Sequence, residues 1–177
     1  MNLFYVFDEY TDIADAKGAE EIRKIVVDAM RNPHKPRPEG ELLIGEMTRE
    51  CVQPANYAVR NILTLYLFSF CIRATNYVTP EAHCVEHFIE EWDVYTAAVV
   101  READDRAKRI YRTFEEYLEI RRYSSGCLPS FALCEFGLSL PEEAYHYPIM
   151  DELREQATDL IAIGNVRKIS FSSDKPC

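Results

Sequence analysis

Val85, Phe88, Ile89, Trp92, Tyr95 and Val99 recur at the three-and-four spacing that puts them on one face of a helix. A strand cannot use this set, because a period of two scatters it over both faces of a sheet. Thr79 and Pro80 supply a start signal: a hydroxyl N-cap, then the residue best suited to a first helical turn. The spacing predicts a helix from there to about Asp104, with Trp92 in the core.

The rest of the chain follows the same period. Leu3, Val6, Phe7, Tyr10 and Ala14 predict a helix over 2–16, broken at Lys17-Gly18. Ile22, Ile25, Val26 and Ala29 predict a second over 19–30. NPHKPRPEG (32–40) is a loop, and a further helix begins at Glu41. Helices are also expected over 111–122, over 129–136 with Gly137 closing it, and from Pro148 with Ile149, Leu153, Ala157, Leu160 and Ile161 inward. NILTLYLFSFCI (61–72) fits either a strand or a buried helix, and is too short to span a bilayer. The tail VRKISFSSDKPC loses the helical period. The fold class expected is all-α.

A length of 177 residues suits one domain with a real core. Thirty acidic against twenty basic residues leave a net charge of −10, which argues against nucleic-acid or anionic-membrane partners. The six cysteines form no CxxC pair and no regular framework, so free thiols in a reducing compartment, the cytoplasm, are expected. Met1 opens directly onto an apolar helical run, the beginning expected of an element buried inside a longer protein.

FYVFDEYTD (4–12) ends an apolar run with Asp8, Glu9 and Asp12. Asp8 and Asp12 share a helix face and repel by a few tenths of a kcal/mol, and Asp15 extends the stripe. A solvated acidic face is the simple account. The functional one is a hard divalent cation: Mg²⁺ takes one or two carboxylates together with water and substrate phosphate. Phe4 and Tyr5 beside it suit a substrate with an apolar body, and their π faces attract cations.

LFYVFDEYTDIADAKGAEEI followed by MRNPHKPRP resembles the metal-binding helix of fungal class I terpene synthases, the basidiomycete sesquiterpene cyclases. The likeness resumes at FIEEWDVYTAAVVREADDRA, FEEYLEIRRYSSG, PSFALCEFGLSLPEE and LREQATDLIAIGN, and so covers about 2–50 and 72–165. The resemblance implies an all-α bundle with a deep apolar cavity, and Mg²⁺-assisted ionisation and cyclisation of farnesyl diphosphate. It implies metal ligation by Asp8, with Glu9 and Asp12 in the motif's other positions. In EIRRYSSG it matches Arg122 to the diphosphate-sensing arginine and Gly126 to the residue whose carbonyl helps trigger ionisation. Arg121 competes with Arg122, since one residue of register decides between them.

The second metal motif of that family begins at Asn165, but Val166, Ile169 and Ser173 stand where Asp, Ser or Thr, and Glu belong. Residues 51–71 match nothing in the family pattern. The domain expectation is therefore a partial terpene synthase α-domain over 1–165, with 51–71 a non-family insertion and 166–177 a non-family tail. A mis-spliced or truncated product with little cyclase activity follows from it. Two other readings compete. His83 and His87, one turn apart in HCVEH, can share a zinc ion if further ligands come from elsewhere. An incomplete helical domain can instead act as a partner-binding scaffold that forms homo-oligomers. EADDRAKR (102–109) reads as a solvated helix end, and Tyr111, Phe114, Tyr117 and Leu118 as a packed face.

Overall fold

The structure, a computed structural model, describes residues 3–52, 82–135 and 141–172, with side chains described for 3–50, 83–135 and 141–164. In chain order the helices are α1 (Leu3–Asp12), α2 (Ala16–Arg31), α3 (Leu43–Val52), α4 (Ala82–Lys108), α5 (Phe114–Ser124), α6 (Cys127–Glu135), α7 (Glu142–Tyr145) and α8 (Pro148–Ser172). Among the described residues every regular element is a helix, as the apolar period requires. The Thr79-Pro80 start, the 61–72 segment and Gly137 lie outside the described residues.

Helix α4 is the axis of the fold, with α2, α5 and α6 packed around it. Helix α1 lies over α2, α3 and α4, and α8 rests on α5 and α6. The core joins Leu3, Phe7, Ile22, Val26, Met30 and Ile44 to Phe88, Trp92, Tyr95 and Val99 of α4. Each such side chain contributes about 1.5–3 kcal/mol by leaving water. Trp92 is fully buried, and Phe4 and Phe7 pack on it at ring distances of 4.4 and 6.4 Å.

Several boundaries differ from the sequence expectations, each for a local reason. Lys17-Gly18 does not break a helix; the break comes at Asp12. Asp15 is the N-cap of α2 and its side chain accepts from the Gly18 backbone N–H at 2.8 Å, so it leaves the acidic stripe of α1. Helix α5 starts at Phe114 because Thr113 and Glu116 form a reciprocal capping box. Helix α4 runs one turn beyond Asp104, to Lys108. Helix α8 continues through the tail to Ser172, since VRKISFS contains neither glycine nor proline to stop it.

The inward face expected for α8 is also corrected. Ile149, Leu153, Leu160 and Ile161 are exposed, and Thr158 and Ala162 are the residues buried against α5 and α6. The small face packs because small residues let α8 approach its neighbours. Among the described residues no layer covers the large apolar face.

Candidate metal and diphosphate site

Asp8 of α1 is half-buried at the seam with α4, whereas Glu9 and Asp12 are exposed. Asp8 accepts a hydrogen bond from the Tyr95 hydroxyl at 2.7 Å, which fixes one carboxylate oxygen across the α1–α4 seam. Burial raises the Asp8 carboxyl above its ordinary range; the Tyr95 hydrogen bond opposes that shift, Asp12 adds to it, and Arg121 opposes it. Burial, and then the Asp8 charge, push the Tyr95 phenol far above its usual value, so it stays a donor. Thr11, one turn on, folds its hydroxyl back to the Phe7 carbonyl at 2.9 Å, and its own carbonyl accepts from Arg106 at 3.0 Å. The acidic end of α1 is thereby pinned to α4.

Arg121 and Arg122 point to different places. Arg121, half-buried, lies 3.8 Å from Glu102 and 3.4 Å from the Ser124 carbonyl, and its buried Nε has no hydrogen-bond partner among the described residues. It is also the arginine whose charge acts on Asp8 and Tyr95. Arg122 instead holds Asp159 of α8 through a fork at 2.7 and 2.8 Å, and also pairs with Glu155. One residue of helix rotation, about 100°, separates the two directions.

Gly126 closes α5 with φ of +73°. A Cβ there would meet two ring carbons of Phe4 at 3.2 Å, so glycine is required both by the left-handed backbone and by the close ring. The Gly126 carbonyl accepts from the Ser130 hydroxyl at 2.8 Å. Phe4, half-buried, therefore sits between Trp92, Tyr95 and the helix break, while Tyr5 is 70% exposed and faces away. The backbone at Asn165 is helical; its side chain lies outside the described residues.

Two residues of this cluster, Tyr95 and Glu102, were not singled out as site residues from the sequence. Tyr95 is hidden among apolar neighbours on the α4 stripe. Glu102 belongs to a run that reads as solvated, yet it turns inward and accepts from the Ser124 hydroxyl. Burial raises its carboxyl above the usual range. The signal was present, because Glu102 is seven residues after Tyr95 and three after Val99, on the same face. Beside it a groove of about 780 Å³ opens between the end of α4 and α5, lined by Glu102, Arg106, Phe114, Tyr117, Ile120 and Arg121. Tyr111 (93% exposed) and Phe114 (55% exposed) are thus not a packed face. The loop between the helices leaves them on the rim.

Among the described residues, Asp8, Glu9 and Asp12 do not bring three ligand atoms within 4.8 Å of one another; His87, Glu142 and His146 do. That arrangement still fits Mg²⁺. A hard cation needs one or two protein carboxylates and completes its octahedron with water and phosphate oxygens, so an open ledge serves better than a closed cage. Asp8, desolvated and repelled by Asp12, is a carboxylate that such a cation would relieve.

An all-helical frame sets a desolvated aspartate near a helix break, an arginine turned toward it and an acidic ledge in the open. The chain belongs to the terpene synthase family: the family described as terpene synthase family 2, C-terminal metal binding, matches residues 1–165. Metal binding is part of that family description. The chain is 68% identical over 165 residues to sesquiterpene synthase Agr9 of Cyclocybe aegerita, covering 93% of this chain and 39% of that protein. It is 38% identical over the same length to a Delta(6)-protoilludene synthase of Stereum hirsutum, covering 39% of it, and 39% identical to sesquiterpene synthase 14 of Postia placenta, covering 41% of it. The chain thus spans about two fifths of the length of these curated relatives. Residues 51–71 fall inside the matched family span and 166–177 beyond it. No described helix is long and apolar enough to cross a membrane.

Proposed function

We propose that this chain carries the first metal wall of a sesquiterpene cyclase acting on farnesyl diphosphate. The observation that carries this reading is the convergence of Phe4, Asp8, Tyr95, Arg121 and Gly126 on one seam. Asp8 and Asp12, with Glu9 beside them, are the groups offered to Mg²⁺. Bound Mg²⁺ would neutralise the diphosphate charge, so that the allylic C–O bond breaks with its electron pair leaving on the diphosphate. Arg121 is the sensor in this proposal rather than Arg122, whose fork is already occupied by Asp159. An arginine suits the task because its planar, permanently charged fork matches diphosphate oxygens. Phe4 offers a π face to the allylic cation that the diphosphate leaves behind, and Gly126 lets the helix break approach that ring.

The family's second metal wall starts at Asn165, and Val166, Ile169 and Ser173 cannot ligate Mg²⁺ as Asp, Ser or Thr, and Glu do. We therefore propose that this chain binds diphosphate through one wall and releases little cyclised hydrocarbon. We also propose that residues 166–177 are a non-family tail, supported by the match ending at 165. Transcript reads that splice from Asn165 into an Asp–Ser/Thr–Glu frame are expected if the tail arises by mis-splicing, and reads crossing that junction without a gap refute it. Incubation with farnesyl diphosphate and Mg²⁺ tests the activity: a trace of sesquiterpene at most is expected, and ordinary turnover refutes the proposal.

A second reading is a partner-binding or self-associating scaffold. It is favoured by the exposed Leu153, Leu160, Ile161 and Ile163 of α8, an apolar face of the kind that attracts partners. A protein that binds neither Mg²⁺ nor diphosphate and elutes as an oligomer would select it.

A further inference from the structure

His87 is buried on α4, two turns before Tyr95, and plays no part in the proposed diphosphate site. Its Nδ1 meets Glu135 Oε2 of α6 at 3.0 Å. Its ring stacks on Tyr145 of α7 at 3.8 Å with 17° between planes, and His146 approaches edge-on at 5.4 Å. Tyr145 is fixed in turn: its hydroxyl donates to Glu91 at 2.6 Å and the Arg154 guanidinium lies 4.1 Å over its ring. One ligand atom each from His87, Glu142 and His146 lies within 4.8 Å of the others.

We propose that His87, Glu142 and His146 form a site for a zinc-like transition cation that clasps α7 to α4. Two imidazoles and a carboxylate with a water in the fourth position make a familiar tetrahedral donor set for Zn²⁺, whereas Mg²⁺ prefers all-oxygen surroundings. Glu135 completes the arrangement as a positioning residue. In the tautomer whose Nδ1–H donates a hydrogen bond to that carboxylate, the His87 ring presents its Nε2 lone pair, the usual tautomer control of a ligating histidine. Ligand atoms around a tetrahedral zinc stand roughly 3.3–3.5 Å apart. The two exposed side chains, Glu142 and His146, need move inward by only about an ångström, a rotamer-scale adjustment. His83, one turn before His87 with its ring 5.7 Å away, stands outside the three-residue cluster. The cation therefore joins two helices rather than sitting on one helix face.

The test uses the full chain, made without a histidine tag, stripped with EDTA and titrated with Zn²⁺ against a chromophoric chelator. One equivalent of zinc taken up in excess Mg²⁺, and a melting temperature raised by several degrees at saturation, are expected. Cobalt in its place should give the visible absorption of a tetrahedral site. His146→Ala and Glu142→Gln alter exposed side chains, so the helical circular dichroism should stay unchanged while zinc affinity falls at least about tenfold; Glu135→Gln should weaken it by a similar factor. Parent-like affinity in both His146→Ala and Glu142→Gln, or no zinc equivalent in the parent, overturns the proposal and leaves the cluster a hydrogen-bonded aromatic contact. Neither result depends on the diphosphate site, because the readout is zinc alone.

Discussion

Helices α4 and α8 are similar in length, 27 and 25 residues, and both carry large apolar side chains, yet they end in opposite environments. Trp92 and Tyr95 of α4 are 0% and 2% exposed, whereas Leu160 of α8 is 74% exposed. Helix α4 has α2, α5 and α6 around it; α8 touches α5 and α6 through Thr158 and Ala162 and, among the described residues, meets no layer beyond. Periodicity tells a helix which face is apolar, but only a neighbouring element makes that face a core. The polar groups follow the same division. Where α4 is enclosed, Asp8, Tyr95 and Glu102 are desolvated and shifted. Where α8 is open, the Arg122–Asp159 fork is a surface pair that holds Asp159 below its usual carboxylate range.

The comparison breaks most visibly at its buried end. Trp92→Ala removes the ring on which Phe4, Phe7 and Phe88 pack and should cost about 3–5 kcal/mol, read by urea unfolding. A loss under about 1 kcal/mol would mean that α4 is not the axis of the core. Gly126→Ala should cost about 1–3 kcal/mol, since it strains a left-handed backbone and drives a methyl group against Phe4. The same measurement checks it, and a neutral result would place the Phe4 ring away from the helix break.

Glu102→Gln sharpens the contrast through pH. Because burial raises its folded-state value, Glu102 holds its proton more tightly in the native chain than in the unfolded one. Its ionisation therefore lowers stability as pH rises from the ordinary glutamate value through the raised one. Near pH 4 the parent and the variant should melt together, and by pH 7 the variant should melt higher. A gap that closes rather than opens with rising pH would contradict the desolvation. Leu160→Gln, at the exposed end, should change stability by no more than about 0.5 kcal/mol in urea unfolding, and a loss of about 2 kcal/mol, as for a buried leucine, would mean that this face is covered.

Much of this arrangement was legible in the residues. The 88–92–95–99 stripe led directly to the buried face of α4, and the acidic end of α1 stood out because three carboxylates close an aromatic run. Two features were not legible. The direction of Arg121 against Arg122 depends on a helix rotation that adjacent arginines do not encode. The partnership of His87 with Glu142 and His146 spans more than fifty residues, a separation over which the helical period carries no information. The inward face assigned to α8 failed for the reason the two helices illustrate, since sequence gives the stripe but not the layer that covers it.

The central claim, that Asp8 and Arg121 form a metal-dependent diphosphate wall, is tested most directly by calorimetric titration of inorganic diphosphate in the presence and absence of Mg²⁺. Binding that requires Mg²⁺, is lost in Asp8→Asn and Arg121→Ala, and survives in Arg122→Ala is the result expected. Binding that survives in Arg121→Ala and disappears in Arg122→Ala, with both variants folded, would contradict the account.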